Sequence, residues 1–347
     1  MIRPFSLRDL GLVRRLSEHG ICLDAESALT RSHHPLRGAL FGLIGKSDRP
    51  TYVWRSEDGE ATGFIQLQVV FDLSARLVFV ALEPQTDGDG SVDAFDLDVW
   101  LPLLDEVVSA IGQRGLHSLV AEVDETGDEL VVLRRAGFAI YTRQDVWILS
   151  NRPAVASAAQ LRLHQAVDDW DVEWLYANTV PPLIQLVEPS PPDHGELWLL
   201  RESGELSAVV HAARDSGPTW LQIFIHPNAS AQADDIVSAA VQICEQDEDF
   251  PLYCCVRRYQ SWLQSALQRS GFQHFKSQAV MVKHMTMPVA KKAGALERLL
   301  NAQTVRPTTL VQRYYPQVDS QNGWRTGEGW QTGERNGQLR VRKLIEL

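Results

Sequence analysis

Hydrophobic and polar positions along the chain form two similar series of predicted elements. Each series has three strands, a long helix with one apolar face, a short apolar strand, a second helix and a final strand. This order predicts an α/β (α+β) protein with mixed, mostly antiparallel sheets flanked by helices. The predicted strands are residues 52–54, 63–70, 77–82, 118–123 and 140–149, then 197–200, 206–212, 220–225, 252–256 and 279–284. The predicted helices are residues 98–114, 129–136, 233–246 and 262–270.

A sequence repeat connects the two series. Residues 133–148 read LRRAGFAIYTRQDVWI, and residues 267–282 read LQRSGFQHFKSQAVMV. Both fit the pattern L-x-R-x-G-F-x-x-aromatic-x-x-Q-x-V at a constant offset of 134 residues. The glycine of each copy is expected to end a helix. Such a repeat predicts two copies of one domain. We place the copies at residues 1–150 and 161–285, with a linker at 151–160 and a basic tail at 286–347.

The duplicated order of elements resembles the GNAT superfamily of acyl-CoA-dependent N-acyltransferases, in a tandem arrangement. The Leu-x-x-x-Gly-Phe motif of each copy is similar to a conserved region of that family. The opening Ile2-Arg3-Pro4 with Asp9 resembles the first strand and helix start of such a domain, and residues 161–169 (LRLHQAVDD) are a second instance. The resemblance implies acetyl-CoA or another acyl-CoA as cofactor, and a small-molecule or peptide amine as substrate.

The sequence QTDGDG at residues 85–90 matches the family's cofactor loop, Q/R-x-x-G-x-G/A. In GNAT domains the backbone N–H groups of this loop bind the pyrophosphate of the acyl-CoA, and glycine leaves room for that approach. The resemblance implies that Leu82, Gln85, Gly88 and Gly90 hold the cofactor. The same letters also fit an acidic surface turn, because the two aspartates would repel a phosphate. The second copy lacks the pattern, so we expect no cofactor there.

Acyl transfer in this family needs a base and a proton donor. Among the acids that end predicted strands, Glu83 and Glu122 are the candidate bases. The family's donor tyrosine is replaced by Leu133 in the first copy and by Leu267 in the second, which leaves Tyr141 as the candidate donor.

Two functions therefore remain open. The chain is either an acyl-CoA-dependent N-acyltransferase with an active first copy, or an inactive GNAT-like module that binds a ligand or a protein. An open gap between the predicted strands at residues 77–82 and 118–123 would favour the enzyme, and a filled gap would favour the binding module.

Charge and cysteine content limit the classes of binding partner that we expect. The net charge is −11, and since residues 285–347 carry ten Lys or Arg against five Asp or Glu, the remainder carries −16. An acidic body argues against nucleic acid. The four cysteines lack metal-ligand spacing and fit reduced thiols in the cytoplasm, and we expect neither a metal nor a membrane partner. Trp324 and Trp330 in the tail are candidates for contact with a protein partner.

Overall fold

One sheet continues through both halves of the chain. In this computed structural model the described residues are 1–30, 35–44, 48–57, 62–70, 73–83, 85–86, 92–93, 95–151, 157–192, 194–214, 217–244 and 250–285. The strands are β1 (Ile2–Pro4), β2 (Ile21–Cys22), β3 (Thr51–Arg55), β4 (Thr62–Val70), β5 (Ser74–Leu82), β6 (Gln85–Thr86), β7 (Val92–Asp93), β8 (Ser118–Asp124), β9 (Ala139–Leu149), β10 (Arg162–Leu163), β11 (Glu196–Glu202), β12 (Glu205–Ala213), β13 (Thr219–Ile225), β14 (Leu252–Arg257) and β15 (Gln273–His284). The α-helices are α1 (Leu10–Leu16), α2 (Ala25–Thr30), α3 (Pro35–Ile44), α4 (Leu97–Gly112), α5 (Asp128–Arg135), α6 (Asp169–Thr179), α7 (Pro182–Gln185), α8 (Ala233–Gln242) and α9 (Gln264–Arg269).

The final strand of each half lies beside the other half. The order in the 13-stranded sheet is β1-β3-β4-β5-β8-β15-β9-β14-β13-β12-β11-β10, with β2 added on β5. Thus β15 pairs antiparallel with β8, β9 pairs antiparallel with β14, and β15 and β9 pair with each other. The predicted α/β class and the mixed, mostly antiparallel sheet are confirmed. The boundaries between copies, linker and tail stay a prediction.

The repeated glutamine marks the centre of this sheet. Gln144 of β9 and Gln278 of β15 are direct cross-strand partners, and the Nε2 of Gln144 donates to the Oε1 of Gln278 at 3.0 Å. Both side chains are buried. Equivalent residues of the two repeats therefore meet each other, which is the arrangement expected at an approximate two-fold axis.

The Gly-Phe motif ends a helix in the same way in both halves. Gly137 and Gly271 have φ of +84° and +92°, in the left-handed region that favours glycine. The amide of the following phenylalanine donates to the carbonyl of Leu133 or Leu267 across the helix end, as in a Schellman motif. Both leucines are fully buried, so they serve the hydrophobic core.

The opening segments of the two halves also match. Arg3 donates from both terminal guanidinium nitrogens to the carboxylate of Asp9, at 2.7 and 2.5 Å. Arg162 binds Asp168 in the same bidentate way, at 2.8 and 2.5 Å. In each half the aspartate lies in a short 3-10 turn ahead of a helix and accepts a backbone N–H three residues earlier. The resemblance between residues 2–9 and 161–169 thus extends to hydrogen bonds.

Helices cover both faces of the sheet. Residues of α4 and α5 share a core with β5, β8 and β15, and α8 and α9 form a second core with β9, β13 and β14 on the same face. On the opposite face α1 and α3 pack against the first half, and α6 and α7 against the second. Between them, α2 and the segment after α7 lie over the middle strands. This middle region contains the site described below.

Candidate functional site

The parallel strands β5 and β8 enclose a gap that the chain itself fills. Residues 74–76 pair with residues 118–120, and the two strands separate beyond that point. The free edge of β5 is occupied by β2, and the amide of Leu23 donates to the carbonyl of Val78 at 2.9 Å. From the other side, the amide of Glu122 donates to the carbonyl of Leu23 at 2.8 Å. The segment at residues 21–23 therefore bridges both strands by backbone hydrogen bonds.

The corresponding gap in the second half is closed by a side chain. Residues 219–222 of β13 pair with residues 252–255 of β14 before the strands separate. The buried Gln260, from the 3-10 turn after β14, donates its Nε2 to the carbonyl of Ile223 at 3.3 Å. Neither gap presents a free strand edge at these positions.

Beside the first gap lies a group of five mostly buried charged residues, which we call the central charge cluster: Asp24, Arg76, Glu122, Glu188 and Arg257. The Nη1 of Arg76 lies 3.2 Å from the Oδ1 of Asp24, and the Nη2 of Arg257 lies 2.7 Å from the Oε1 of Glu188. Glu122 accepts the amide of Ala25 at 2.9 Å. Because such charges are costly to bury without partners, these pairs hold α2 and the segment after α7 over the sheet.

The pKa values of two carboxyls in the cluster, Glu122 and Asp24, are shifted in opposite directions. Burial raises the pKa of Glu122 above its ordinary value, and the negative charge of Asp24 adds to the rise. Burial would also raise the pKa of Asp24, but Arg76 and hydrogen bonds from Ser27 lower it below its ordinary value. The pKa values of two acids that share one buried site move apart in this way, because only one of the two readily carries a charge. Of Asp24 and Glu122, Glu122 is therefore the carboxyl with the higher pKa.

Tyr141 joins the cluster through Glu188. Its hydroxyl donates to the Oε1 of Glu188, the same oxygen that Arg257 binds. Burial, followed by the charge of Glu188, raises the pKa of Tyr141 well above its ordinary value. The phenol therefore keeps its proton at neutral pH.

A narrow cavity borders the cluster, lined mostly by charged and polar side chains from both halves. Its volume of about 30 Å³ holds about two water molecules. His194 and Glu26 close one side, with the Nε2 of His194 2.7 Å from the Oε1 of Glu26. The cavity is lined by Asp24, Glu26, Gln68, Val70, Arg76, Tyr176, Glu188, Ser190, Pro192, His194, Gln222 and Phe224. It is too small for an amine substrate of ordinary size.

No sequence-family model matches the chain, and no curated protein matches it significantly in sequence. Solved structures do match it. A GCN5-related glucosamine N-acetyltransferase region of a fungal multi-domain GH3 beta-N-acetylglucosaminidase superposes with a TM-score of 0.54, at 14% identity over 82% of this chain and 38% of that chain. The chain has the GNAT fold.

Two further GNAT structures are similar at lower scores. A tandem GNAT protein from the clavulanic acid biosynthesis pathway matches 82% of this chain and 98% of its own, with 12% identity and a TM-score of 0.49. A GCN5-related N-acetyltransferase from Sphaerobacter thermophilus matches 82% and 95%, with 13% identity and a TM-score of 0.48. The resemblance drawn from the repeat is confirmed at the level of the fold.

The predicted catalytic residues of this GNAT-fold protein fall in two places. Glu122 and Tyr141 belong to one electrostatic network, because Arg257 acts on the pKa of both. Glu83, at the end of β5, is bound elsewhere: its carboxylate lies 2.9 Å from Arg15 and accepts the hydroxyl of Thr62. All three assignments stay predictions.

Of the four predicted cofactor residues, the structure describes Leu82 and the backbone of Gln85. Leu82 packs against the core of the first half, and Gln85 belongs to the short strand β6, of which the backbone is described. Gly88 and Gly90 lie outside the described residues. Within the described chain, no group of three or more His, Cys, Asp or Glu has the geometry of a metal site. None of the described helices has the length and apolarity needed to cross a membrane.

Sequence reasoning missed most of the central charge cluster. Arg76 carried a usable signal, since it is the one charged residue in the apolar strand SARLVFVAL. Asp24 lies between β2 and α2, and Glu188 lies between α7 and β11. Neither residue carried a comparable signal. Arg257, the last residue of β14, binds Glu188, and the following Arg258 binds Glu125.

Proposed function

We propose that this GNAT-fold protein is a binding module that does not transfer acyl groups. The filled gap between β5 and β8 carries the proposal. By the resemblance to GNAT enzymes, an acyl-CoA would lie in the gap beside the edge of β5. Residues 21–23 take hydrogen bonds at that edge. Leu23 is also buried in the core, so displacing it would expose apolar surface to water. In this conformation the described residues do not fit the cofactor.

The positions of the family's donor tyrosine support the same proposal. Leu133 and Leu267 are both fully buried among apolar side chains. A hydroxyl group at either position would lack a water partner and would need a hydrogen-bond acceptor in the core. The chain therefore uses both positions for packing.

A second candidate is an acyl-CoA-dependent N-acyltransferase acting on a small-molecule or peptide amine. The raised pKa of Glu122 favours it, because a carboxyl whose pKa is raised by burial is suited to general base or acid catalysis. In this candidate Glu122 is the base and Tyr141 the proton donor. Acetyl-CoA or another acyl-CoA would be held by Leu82, Gln85, Gly88 and Gly90, after the segment at residues 21–23 had moved.

Titration of the full chain with acetyl-CoA and with CoA separates the two candidates. A ligand that binds only the folded state raises the melting temperature by mass action, with about 2.7 kcal/mol at a hundredfold excess over Kd. The binding module predicts no rise at millimolar ligand, in thermal melts or in calorimetry. A rise that Gly88→Glu abolishes and Gly11→Glu preserves would overturn the filled-gap argument and favour the acyltransferase, with release of CoA on addition of an amine as the test of transfer. Gly11 is a suitable control because a Cβ added at this glycine would meet no neighbouring atom within 4 Å.

A further inference from the structure

The second half carries a much larger cleft than the central cavity. It has a volume of about 610 Å³ and shares no lining residue with the cavity at the central charge cluster. It lies where α6, the turn between β11 and β12, and the end of β13 meet. A cleft of this size accommodates a small molecule.

Two exposed tryptophans form one wall of the cleft. Trp170 and Trp174 lie one turn apart on α6 and are 69% and 49% exposed, although the same helix buries Val172 and Leu175. The ring of Trp174 is stacked on that of His226, with centroids 6.2 Å apart and planes within 8°. Exposed aromatic faces in a concave site indicate a ligand, because they gain most by being covered.

Carboxylates also line the cleft, from α6 and from the turn between β11 and β12. Among the described residues, Asp171, Glu202 and Glu205 line the cleft against a single lysine or arginine, Arg201. The guanidinium of Arg201 is already engaged by Asp171 and by the buried Asp168, which lies 2.8 Å away. The cleft therefore presents an excess of negative charge next to aromatic faces.

We propose that this cleft binds a small organic cation, an ammonium group with apolar substituents. The faces of indole rings attract cations, and a quaternary or alkylated ammonium is held by aromatic side chains better than a strongly hydrated ion. The carboxylates supply the complementary charge and disfavour anions. This inference goes beyond the binding module proposed above, and it does not depend on whether the chain transfers acyl groups.

Choline and its uncharged carbon analogue, 3,3-dimethyl-1-butanol, test the inference. Calorimetric titration of the full chain is expected to show choline binding at least about tenfold tighter than the analogue, and weakening as salt rises. Trp174→Ala and Glu205→Gln are each expected to weaken choline binding several-fold. Trp174→Phe should retain part of the affinity, because a phenyl ring also attracts cations.

Trp262→Ala is the matched control, since Trp262 is 40% exposed and does not line the cleft. It should leave choline binding unchanged, and melting curves of every variant confirm that the chain is folded. Equal affinity for choline and its neutral analogue would overturn the proposal, as would choline binding that survives the Trp170→Ala/Trp174→Ala double variant. Absence of choline binding, or tighter binding of methyl glucoside, would also overturn it. None of these results alters the outcome of the acetyl-CoA titration.

Discussion

Removal of the Glu188 carboxylate should destabilise the protein more than any single surface substitution. The side chains of Glu188 and Arg257 are only 16% and 8% exposed, and their nearest charged atoms are 2.7 Å apart. The carboxylate also accepts the hydroxyl of Tyr141. Glu188→Ala therefore breaks two hydrogen bonds to a charged acceptor and leaves a buried guanidinium without its ion-pair partner.

The expected cost follows from these contacts. Each hydrogen bond to a charged group contributes about 1.5–3 kcal/mol, and breaking a buried ion pair by removing one partner costs about 3–5 kcal/mol. These two figures describe the same loss, so we expect the free energy of unfolding to fall by about 3–5 kcal/mol. At about 2 °C for each kcal/mol in a chain of this size, the melting temperature should fall by about 6–10 °C.

Urea unfolding followed by circular dichroism measures this cost. The double variant Glu188→Leu/Arg257→Met should recover most of the lost stability, since an apolar pair of similar volume needs no charge partner. The matched surface control is Asp234→Ala, which breaks the 53–60% exposed pair with Arg269 and should cost about 0–1 kcal/mol. A loss below about 1 kcal/mol in Glu188→Ala, or a double variant no more stable than it, would refute the reasoning.

Three other substitutions test separate features. Glu122→Gln should stabilise the protein at pH 7–8 but not near pH 4, because the pKa of Glu122 is raised in the folded state. The contribution of Glu122 to stability is complete below its unfolded-state pKa of about 4.3, and it is lost as pH rises through the folded-state pKa. Urea unfolding across that pH range checks the sign, and an unchanged pH slope would contradict it. Gln144→Leu should cost about 1–3 kcal/mol by leaving the buried amide of Gln278 unpaired, whereas the double variant Gln144→Leu/Gln278→Leu should cost less than the sum of the single losses; additive losses would refute the pairing. Gly137→Ala should lower the free energy of unfolding by about 1–2 kcal/mol because of its positive φ, and a stabilised variant in thermal melts would show that the backbone differs.

The repeat made the fold predictable. The helix ends at Gly137 and Gly271 were predictable from local sequence, because glycine itself favours the positive φ that ends a helix. Strand limits were less accurate: β15 begins at Gln273, six residues before the predicted start, because its first residues are exposed and lack apolar alternation. Polar exposed strand residues give no periodic signal.

The exchange of the last strands could not be read from the sequence. Both halves carry the same motif, so β9 and β15 are equally suited to lie beside β8 or β14, and the pairing is decided by the whole assembly. The candidate site was only partly predictable, because tertiary packing brings several of its residues together. Glu122 stood out near a strand end, but Asp24 and Glu188, the other acids of the central charge cluster, come from segments whose position depends on tertiary packing.

The crossed strands also constrain how the polypeptide becomes folded during translation. Strand β8 pairs Ser118 with His284 of β15, so the first half leaves the ribosome with one sheet edge unpaired until almost all of the described chain has been made. Such an edge can recruit strands from other molecules. A gene divided between the halves would yield two polypeptides, each of which would have to supply the last strand to the other to reproduce this sheet. The same crossing means that the linker needs only to keep the two halves in reach of each other, since the strands themselves hold them together.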